Sequence, residues 1–588
     1  MATYKAPLRD MRFVLNELFD SAQFRTLPGY GDITPDVVDS LLDEAAKVCE
    51  ELLFPLNRSG DEEGSHLVNG EVQTPKGFRE AYRTYAESGW IGLAADPAWG
   101  GQGVPSAVGV LVQEMICATN LAFGMFTGLS HGAYTALASH ATDAIKKRYL
   151  PGLVSGKWTG TMCLTEPQCG TDLGLVRTKA VPQADGSYRI TGSKLFISAG
   201  DHDLTENILH LVLARLPDAP EGIKGISLFL VPKVLVRDDG SLGERNGVTC
   251  TAIEHKMGIK ASPTCALAFE DAIGYLVGEP NKGMRAMFTM MNEERVAVGV
   301  QGLGLAEASY QGAVAYARER LQGRSVAGAK HPDKPADPII VHPDVRRMLL
   351  TMRAYVEGSR ALAMWVALAL DEARRHPTAE TRQAAEEFVA LMTPVAKAFL
   401  TDIGFEATNL GMQVLGGHGY IREHGMEQYV RDARIGQIYE GTNGVQALDL
   451  VGRKLSAGYL ARFVEPVSAF IDANRDDAAL AAFVGPLAEA FGRLQDATAV
   501  IARAGFDDPE EAVSGATDYL RLLGLIALAY LWARMATIAL PKAADPFYRA
   551  KVDTARFYME RLLPQAGALF AAIDAGGRTI TGFDEAAF

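Results

Sequence analysis

Glu440 stands in a sequence setting that could serve acid–base chemistry. It lies in the segment Ile438-Tyr439-Glu440-Gly441, where apolar side chains precede the carboxylate and a glycine follows it. Apolar neighbours that exclude water raise the pKa of a carboxylate and make it a stronger base. The glycine lets another molecule approach the backbone closely. Considered alone, however, a glutamate at a glycine turn is most often a solvated surface residue. Its role therefore depends on the rest of the chain.

Two other segments combine glycines with hydroxyl-bearing residues. The cluster Leu415–Gly419, LGGHG, fits either a loop that approaches phosphate or a simple helix stop. The segment Thr161–Thr171, TMCLTEPQCGT, is by itself only the first loop of a β region. The motifs GxxxxGK[ST] and HExxH are absent, which argues against a P-loop and a zincin. The histidines show no metal-ligand spacing, so no metal site is predicted.

Charge and composition exclude several classes of function. The chain has 588 residues, with 57 Lys and Arg against 71 Asp and Glu, so its formal net charge is −14. Nucleic acids bind basic surfaces, so no nucleic-acid partner is predicted. The six cysteines have no C-x-x-C spacing, which is typical of reduced thiols in a cytoplasmic protein. The longest charge-free apolar run of the C-terminal part, Leu522–Ala533, has twelve residues. A helix of that length is too short to cross a bilayer, so no membrane insertion is predicted.

Hydrophobic periodicity divides the chain into helical and β regions. Helical spacing covers about the first 150 residues, where Pro151 is predicted to stop a helix, and resumes after Gly283. Short apolar segments between them are typical of a β domain. These segments are Ser187–Ile190, Lys194–Ile197, Ile208–Ala214, Ile226–Val231 and Ala266–Phe269. The predicted domains are an N-terminal extension (1–35), an N-terminal helical domain (36–158), a middle β domain (159–280), a helical-bundle domain (281–455) and a C-terminal helical extension (456–588).

Several motifs occur in a fixed order that resembles the flavin-dependent acyl-CoA dehydrogenase family. They are TEPQCGT at 165–171, KLFIS at 194–198, the arginines Arg295 and Arg320, LGGHGY at 415–420 and YEGT at 439–442. The resemblance implies an α+β multidomain fold, in which a helical N-terminal domain, a β-barrel middle domain and a four-helix bundle are followed by an extra C-terminal helical domain. It also implies FAD as the cofactor and the oxidation of an acyl-CoA thioester to a trans-2-enoyl-CoA.

The resemblance also assigns roles to individual residues. Glu440 matches the base that removes the α-proton, and its backbone N–H matches an oxyanion-hole donor. Arg320 and the loop that follows Gln413 match contacts to the FAD of a neighbouring subunit. The residues that match flavin contacts are Met162, Leu164, Thr165, Gly170, Thr171, Phe196, Ser198, Arg320, Gln413, Gly416, Gly417 and Thr442. Those that match acyl-CoA contacts are Asn292, Arg295, Tyr439 and Gly441.

The long tail and the first residues are similar to a bacterial subgroup of the family that carries a C-terminal extension. The resemblance to that subgroup implies either 3-methylmercaptopropionyl-CoA or a medium- or long-chain fatty acyl-CoA as the substrate, and both classes stay open. The resemblance implies an electron-transfer flavoprotein as the electron acceptor. It also implies a homodimer, because the appended helices could cover the face that pairs dimers elsewhere in the family. Two alternatives remain: an acyl-CoA oxidase, and a flavin-bearing DNA-associated stress protein, which the net charge of −14 disfavours.

Overall fold

The computed structural model describes residues 4–588, apart from the side chain of Asp507. Helices predominate, and strands occur in the stretches 66–73 and 158–277. The helices are α1 (Leu8–Arg12), α2 (Pro35–Lys47), α3 (Pro55–Glu63), α4 (Phe78–Glu87), α5 (Ser106–His140), α6 (Asp143–Val154), α7 (Gly283–Glu319), α8 (Pro343–Arg375), α9 (Ala379–Leu415), α10 (Met426–Arg434), α11 (Asn443–Asp449), α12 (Ala461–Asn474), α13 (Ala481–Asp507), α14 (Pro509–Ser514), α15 (Ala516–Ala539), α16 (Pro546–Phe557), α17 (Gln565–Asp574) and α18 (Arg578–Thr581).

The strands fall into one large sheet and two small hairpins. The strands are β1 (His66–Val68), β2 (Glu71–Gln73), β3 (Trp158–Cys163), β4 (Lys179–Pro182), β5 (Tyr188–Ser198), β6 (Asn207–Arg215), β7 (Ile226–Pro232), β8 (Val234–Val236), β9 (Leu242–Arg245), β10 (Val248–Ile253) and β11 (Thr264–Val277).

The chain divides into two compact units, which are described separately. The bundle unit comprises the described residues up to Ala46, together with Pro105–Ala118 and Val298–Phe588. The barrel unit comprises Lys47–Val104 and Thr119–Ala297.

A closed ring of strands forms the core of the barrel unit. In the ring, β11 pairs with β5, β5 with β4, β4 with β6, and β6 with β7, and β7 pairs back onto β11. Strands β10 and β3 extend the sheet beyond β11 and β6. Ile190, Val212 and Phe229 fill the interior and are fully buried. The predicted β-barrel middle domain is thereby confirmed.

One strand joins two segments that the sequence pattern separates. Ser187–Ile190 and Lys194–Ile197 belong to the single strand β5, and Gly192 lies between them. A Cβ atom at Gly192 would lie 2.4 Å from the Thr178 hydroxyl oxygen, so only a glycine lets β4 and β5 approach this closely. The glycine therefore continues the strand, although its residue type predicts a break.

Two further local predictions were wrong. Helix α6 runs through Pro151 to Val154 instead of stopping before the proline. Leu150, Leu153 and Val154 are buried, and this packing outweighs the missing proline N–H. In addition, the hairpin of β1 and β2 interrupts the first 150 residues, which the sequence pattern predicts to be helical.

In the bundle unit, helix α15 of the C-terminal extension packs against α8 and α9. A Cβ atom at Gly524 of α15 would lie 2.4 Å from the Phe399 ring of α9, so the two helices are in close contact. The indole of Trp532 is buried and donates a hydrogen bond to the Ala354 carbonyl of α8 at 3.1 Å. The C-terminal extension thus covers one face of the helical bundle.

Buried charges connect the N-terminal extension with the rest of the bundle unit. Arg360 of α8 forms ion pairs with Asp10, Glu114 and Glu307. Lys551 of α16 is fully buried and also pairs with Asp10. Each of these charges is buried, so removal of one partner would leave an uncompensated charge in the protein interior and destabilise the fold.

Three helices are long and apolar enough to cross a membrane, judged by length and composition alone. They are Ser106–His140, the helical stretch Ala379–Tyr420 and Ala516–Lys542. The run Leu522–Ala533 lies in the last of these, which has 27 residues, so the argument from its length was wrong. In each helix, 83% of the most apolar window is buried inside the protein, which accounts for its composition. The absence of membrane insertion stays a prediction.

Candidate active site

In the barrel unit, the end of strand β3 and the residues that follow it are partly accessible. Met162 and Leu164 are half-buried, whereas Thr161 and Cys163 are buried. Side chains alternate across a strand, so Met162 and Leu164 share the more accessible face. Thr165 follows them and is also half-buried. The family resemblance places the flavin ring along this face.

The turn after β3 is held by Glu166, a buried residue that the sequence analysis did not single out. Its backbone N–H donates to the Cys169 carbonyl at 2.8 Å, and the Cys169 N–H donates back at 3.0 Å. Its carboxylate accepts hydrogen bonds from the Arg177 and Thr178 N–H groups at 2.8 and 3.0 Å and from the Thr178 hydroxyl at 2.6 Å. The carboxylate therefore ties the turn to the segment Arg177-Thr178.

Lys194 also stabilises this turn. Its ammonium group, which is 1% exposed, donates to the Glu166 carboxylate at 2.9 Å and to the Leu164 carbonyl at 3.0 Å. Burial opposes ionisation of Glu166, but the Lys194 charge and the hydrogen bonds outweigh it and lower the pKa of Glu166 to about 2. The glutamate is thus ionised at neutral pH, which compensates the buried lysine.

Gly170 and Thr171, at the end of this turn, are exposed. Among the described residues, no hydrogen-bond partner is found for either backbone N–H. Free N–H groups at an exposed glycine turn suit an anionic ligand such as a diphosphate.

Phe196 lies beside the turn, because the Leu195 N–H donates to the Thr165 carbonyl at 2.9 Å. Its side chain is 58% exposed, and its φ of 58° lies in the left-handed region. Such a conformation costs a non-glycine residue roughly 1–2 kcal/mol. An exposed aromatic ring on a strained backbone indicates a functional position, and a planar ligand would cover it. Ser198, two residues further on, is half-buried.

In the bundle unit, Glu440 lies between α10 and α11 with a left-handed backbone. Its φ is 56°, and that of Gly441 is 82°. The buried Gln446 side chain donates to the carbonyls of both residues at 3.2 Å. The Tyr439 hydroxyl donates to the buried Gln301 of α7. The backbone around the glutamate is thus held from both sides in a conformation that L residues avoid.

Asn443 ties this turn to α9. It accepts a hydrogen bond from the buried Lys397 ammonium group at 2.8 Å and donates to the Asp402 carboxylate at 2.7 Å. Thr442, which is exposed, caps α11 by accepting from the Val445 N–H at 3.3 Å. Neither Asn443 nor Gln446 stood out in the sequence, because amides in a glycine-rich turn give no local signal.

The glycine loop at the end of α9 is largely exposed. Gln413, Gly416 and Gly417 are exposed, and a Cβ atom at either glycine would meet no other group within 4 Å. The hydroxyl of Tyr316, near the end of α7, lies 2.7 Å from a ring nitrogen of His418 in this loop.

Arg320 lies just beyond α7, four residues after Tyr316. It is exposed, and its side chain has no ion pair or hydrogen bond within residues 4–588. The guanidinium group is therefore available to a ligand, while the hydrogen bond between Tyr316 and His418 places its chain segment beside the glycine loop.

The predicted acyl-CoA contacts on α7 lie in the barrel unit. Asn292 is exposed, whereas Arg295 is only 9% exposed and lies over the Phe288 ring at 5.8 Å. The neighbouring Glu293 carboxylate lies 3.2 Å from the His131 imidazole of α5. The structure thus brings part of α7 close to α5.

A serine in α5 has the sequence spacing of a nucleophile elbow but not its geometry. Gly128-Leu129-Ser130-His131-Gly132 fits the pattern GxSxG, which requires a sharp turn between a strand and a helix. Here the segment lies inside the helical part of α5 that follows the kink at Asn120, and the Ser130 hydroxyl donates to the Phe126 carbonyl at 2.7 Å. It is a structural serine.

Family models match almost the whole chain. Residues 38–157, 161–272 and 281–455 match the N-terminal, middle and C-terminal domains of acyl-CoA dehydrogenase. Residues 463–584 match the model described as "Acetyl-CoA dehydrogenase C-terminal like". Together with the fold, these matches define a flavoprotein oxidoreductase that acts on CH–CH bonds.

Individual relatives are similar over their full length. A 3-methylmercaptopropionyl-CoA dehydrogenase of Ruegeria pomeroyi is 43% identical, with 98% of this chain and 99% of that one covered. A butyryl-CoA dehydrogenase of Syntrophomonas wolfei is 33% identical, with 100% and 99% covered. The crystal structure of an FAD-complexed acyl-CoA dehydrogenase from Bacillus anthracis has the same fold, with a TM-score of 0.76 at 20% identity over 97% of this chain and 92% of that one. The chain belongs to the acyl-CoA dehydrogenase family, and its cofactor is FAD.

The residues present suit that cofactor. The exposed Phe196 ring and the accessible face of β3 offer a surface for a flat ring system. The free N–H groups of Gly170 and Thr171 suit a diphosphate. These residues would hold FAD in the barrel unit, and in the bundle unit Arg320 and Gln413 are exposed and accessible to a ligand.

Proposed function

We propose that the protein oxidises the Cα–Cβ bond of an acyl-CoA thioester to a trans-2-enoyl-CoA, with Glu440 as the base. The observation that carries this proposal is the left-handed backbone of Glu440, which Gln446 holds through two hydrogen bonds. A glutamate kept in a costly conformation by buried partners indicates a position selected for chemistry rather than for folding.

The chain's own residues perform the proton chemistry. Glu440 takes the proton from the α-carbon, and the backbone N–H of the same residue donates to the thioester carbonyl, where negative charge develops. Gly441 carries no side chain, so the thioester can approach the backbone at this point. Tyr439, which directly precedes Glu440, is held in place by its hydrogen bond to Gln301. FAD, when bound, accepts the hydrogen that leaves the β-carbon as a hydride.

For the substrate, we propose a short acyl chain, with 3-methylmercaptopropionyl-CoA or butyryl-CoA preferred over long fatty acyl-CoAs. The 43% identity to a 3-methylmercaptopropionyl-CoA dehydrogenase over nearly the whole chain supports the first of these. A second observation lies in the barrel unit, where α5 and α7 are in contact at Gly132. A Cβ atom there would lie 2.6 Å from the Glu294 carboxylate and 2.9 Å from Met290. The Glu294 and Met290 side chains therefore occupy the space next to Gly132, and we infer that they limit the length of the acyl chain there.

The test is an anaerobic titration of the FAD-loaded protein with acyl-CoAs, followed through the visible flavin band. The panel contains 3-methylmercaptopropionyl-, butyryl-, octanoyl- and palmitoyl-CoA. Bleaching by the two short substrates supports the proposal, whereas bleaching by palmitoyl-CoA alone contradicts the short pocket. A yellow protein that none of them bleaches contradicts the dehydrogenase assignment. Rapid peroxide formation in air would identify an oxidase instead.

Met290 gives a sharper version of the same test. Met290→Ala opens space beside Gly132, and because each buried methylene contributes about 0.8 kcal/mol, kcat/KM for octanoyl-CoA relative to butyryl-CoA should rise about tenfold. Met287→Ala is the control, since Met287 is equally buried on α7 but is not among the groups nearest Gly132. An unchanged ratio in Met290→Ala contradicts the assigned pocket.

We also propose that the protein works as a homodimer and passes its electrons to an electron-transfer flavoprotein. The packing of α15 on α8 and α9 supports the dimer, because it covers a bundle face that would otherwise be free to pair. Sedimentation equilibrium tests this directly: a dimer mass supports the proposal and a tetramer mass contradicts it. Reduction of a purified electron-transfer flavoprotein in the presence of substrate tests the acceptor.

A further inference from the structure

The bundle unit contains a cavity of about 770 Å³ that the proposed reaction does not use. Four parts of the chain line it: the N-terminal extension, α8 with the residue that follows it, α9, and the C-terminal extension. Its residues on α9 lie between Thr381 and Phe388, near the helix start, whereas the glycine loop of the active site follows the end of α9. A volume of this size is typical of a small-molecule site.

Five aromatic side chains form part of the cavity wall. Phe19 and Phe24 come from the N-terminal extension, Trp365 and Phe388 from the bundle, and Tyr530 from α15. The ring centroid of Trp365 lies 4.6 Å from that of Phe388 and 5.3 Å from that of Tyr530. Such a surface suits a ligand with a substantial apolar part.

One cation at the wall lacks a carboxylate partner. The Arg534 guanidinium lies over the rings of Phe19 and Tyr530 at 4.9 and 5.6 Å and donates one hydrogen bond, to the Leu18 carbonyl at 2.7 Å. Within residues 4–588 it forms no ion pair. By contrast, Arg462, the second arginine of the cavity, is neutralised by Glu387 at 2.8 Å. Arg534 thus keeps several N–H donors and its positive charge beside the aromatic side chains of the cavity.

Acidic groups at the wall do not cancel this charge. Glu465 lies 3.9 Å from Arg462 and is largely exposed. Glu372 is the other glutamate of the lining, and within residues 4–588 neither of the two forms an ion pair with Arg534. A carboxylate ligand would give the Arg534 guanidinium the counter-charge that these residues do not supply.

We propose that this cavity binds a fatty carboxylate, with its carboxylate group on Arg534 and its chain against Trp365, Phe388 and the phenylalanines of the N-terminal extension. Such a ligand would touch the N-terminal extension, the bundle and the C-terminal extension at once. Its binding would stabilise their packing. The site is separate from Glu440 and does not depend on the proposed reaction.

The probe is decanoate, titrated calorimetrically into the FAD-loaded protein. Decyltrimethylammonium has the same chain with the opposite charge and tests the role of Arg534. We expect one decanoate per chain, binding at least about tenfold more tightly than the cation, because a charge-assisted hydrogen bond contributes that much. Decanoate should also raise the Tm of the protein. Equal binding of the two probes, or no binding of decanoate, would overturn the proposal.

Variants locate the binding. Arg534→Gln should weaken decanoate binding about tenfold or more. Arg503→Gln, which changes an exposed arginine of α13 outside the cavity, should leave it unchanged. Ala384→Trp fills the cavity from α9 without altering any charge, so it should also abolish binding, and it serves if Arg534→Gln fails to fold. Normal decanoate binding by Ala384→Trp would show that decanoate binds elsewhere and would overturn the assignment.

Discussion

The buried ion pair between Glu166 and Lys194 holds the turn that carries the candidate flavin contacts Thr165, Gly170 and Thr171. The charge of Lys194 and the hydrogen bonds lower the pKa of Glu166 from 4.5 to about 2. A change of this size corresponds to roughly 3 kcal/mol of stability. Glu166→Gln leaves Lys194 buried without its counter-charge, which costs about 3–5 kcal/mol. We therefore expect the free energy of unfolding of the barrel unit to fall by about 3 kcal/mol or more.

The pH dependence of the free energy of unfolding tests separately whether ionised Glu166 stabilises the fold. Because the pKa of Glu166 is lower in the folded protein, its contribution is complete above pH 4.5 and is lost as the pH falls towards 2. Guanidinium unfolding followed by tryptophan fluorescence, repeated between pH 3 and pH 7, should show this decline in the wild type. The Glu166→Gln variant should show less of it.

A double-mutant cycle identifies the ion pair as the cause. Lys194→Met alone leaves the carboxylate unpaired, whereas the combination Glu166→Gln/Lys194→Met removes both charges, so the two losses should not add and the coupling should be about 2–3 kcal/mol. FAD content after gel filtration should fall in both single variants. Lys179→Met, which changes an exposed lysine of β4, should alter neither property. Additive losses in the cycle, or full FAD content in Glu166→Gln, would refute the reasoning.

Two further predictions concern the bundle unit. Lys551→Met removes a buried cation that pairs with Asp10 and Glu357, and leaves Asp10 with Arg360 as its remaining partner. The variant should lower the free energy of unfolding by about 3–5 kcal/mol, whereas Lys542→Met, at a half-exposed surface pair, should cost less than about 1 kcal/mol. Equal losses in guanidinium unfolding would contradict this. Gln446→Leu removes both hydrogen bonds to the Glu440 turn and should lower kcat about tenfold. The FAD content should stay unchanged. A change in KM alone would contradict the role of Gln446 in positioning Glu440.

The sequence predicts elements well where one periodic pattern covers the whole element. Ile208–Ala214 and Ile226–Val231 lie inside β6 and β7, because continuous apolar runs between turn residues leave few other structures. The sequence pattern predicts the wrong structure where a tertiary contact determines whether a strand or helix continues. Gly192 continues a strand because Thr178 packs against it, and Pro151 lies inside α6 because its neighbours are buried.

In the candidate site, too, some residues could be predicted from the sequence and others could not. Glu440 and Phe196 are found through short motifs, since the motif itself carries the residue. The residues that hold these motifs in place are not found through motifs. Lys194 pairs with Glu166, which lies 28 positions away, and Asn443 pairs with Lys397, which lies 46 positions away. Nor does any local pattern place Lys551 on Asp10 at the other end of the chain. Such partners are set by the packing of distant elements, which periodicity does not encode.

The measurement that tests the central claim most directly is anaerobic reduction of Glu440→Gln by its best acyl-CoA. If Glu440 is the base, the variant should bind FAD and acyl-CoA as the wild type does, because glutamine has the same shape. The rate of flavin bleaching should nevertheless fall by about 10²–10⁴-fold, the contribution of a positioned general base. Glu423→Gln, at a glutamate outside the turn, should bleach at the wild-type rate. Bleaching of Glu440→Gln at the wild-type rate would contradict the account.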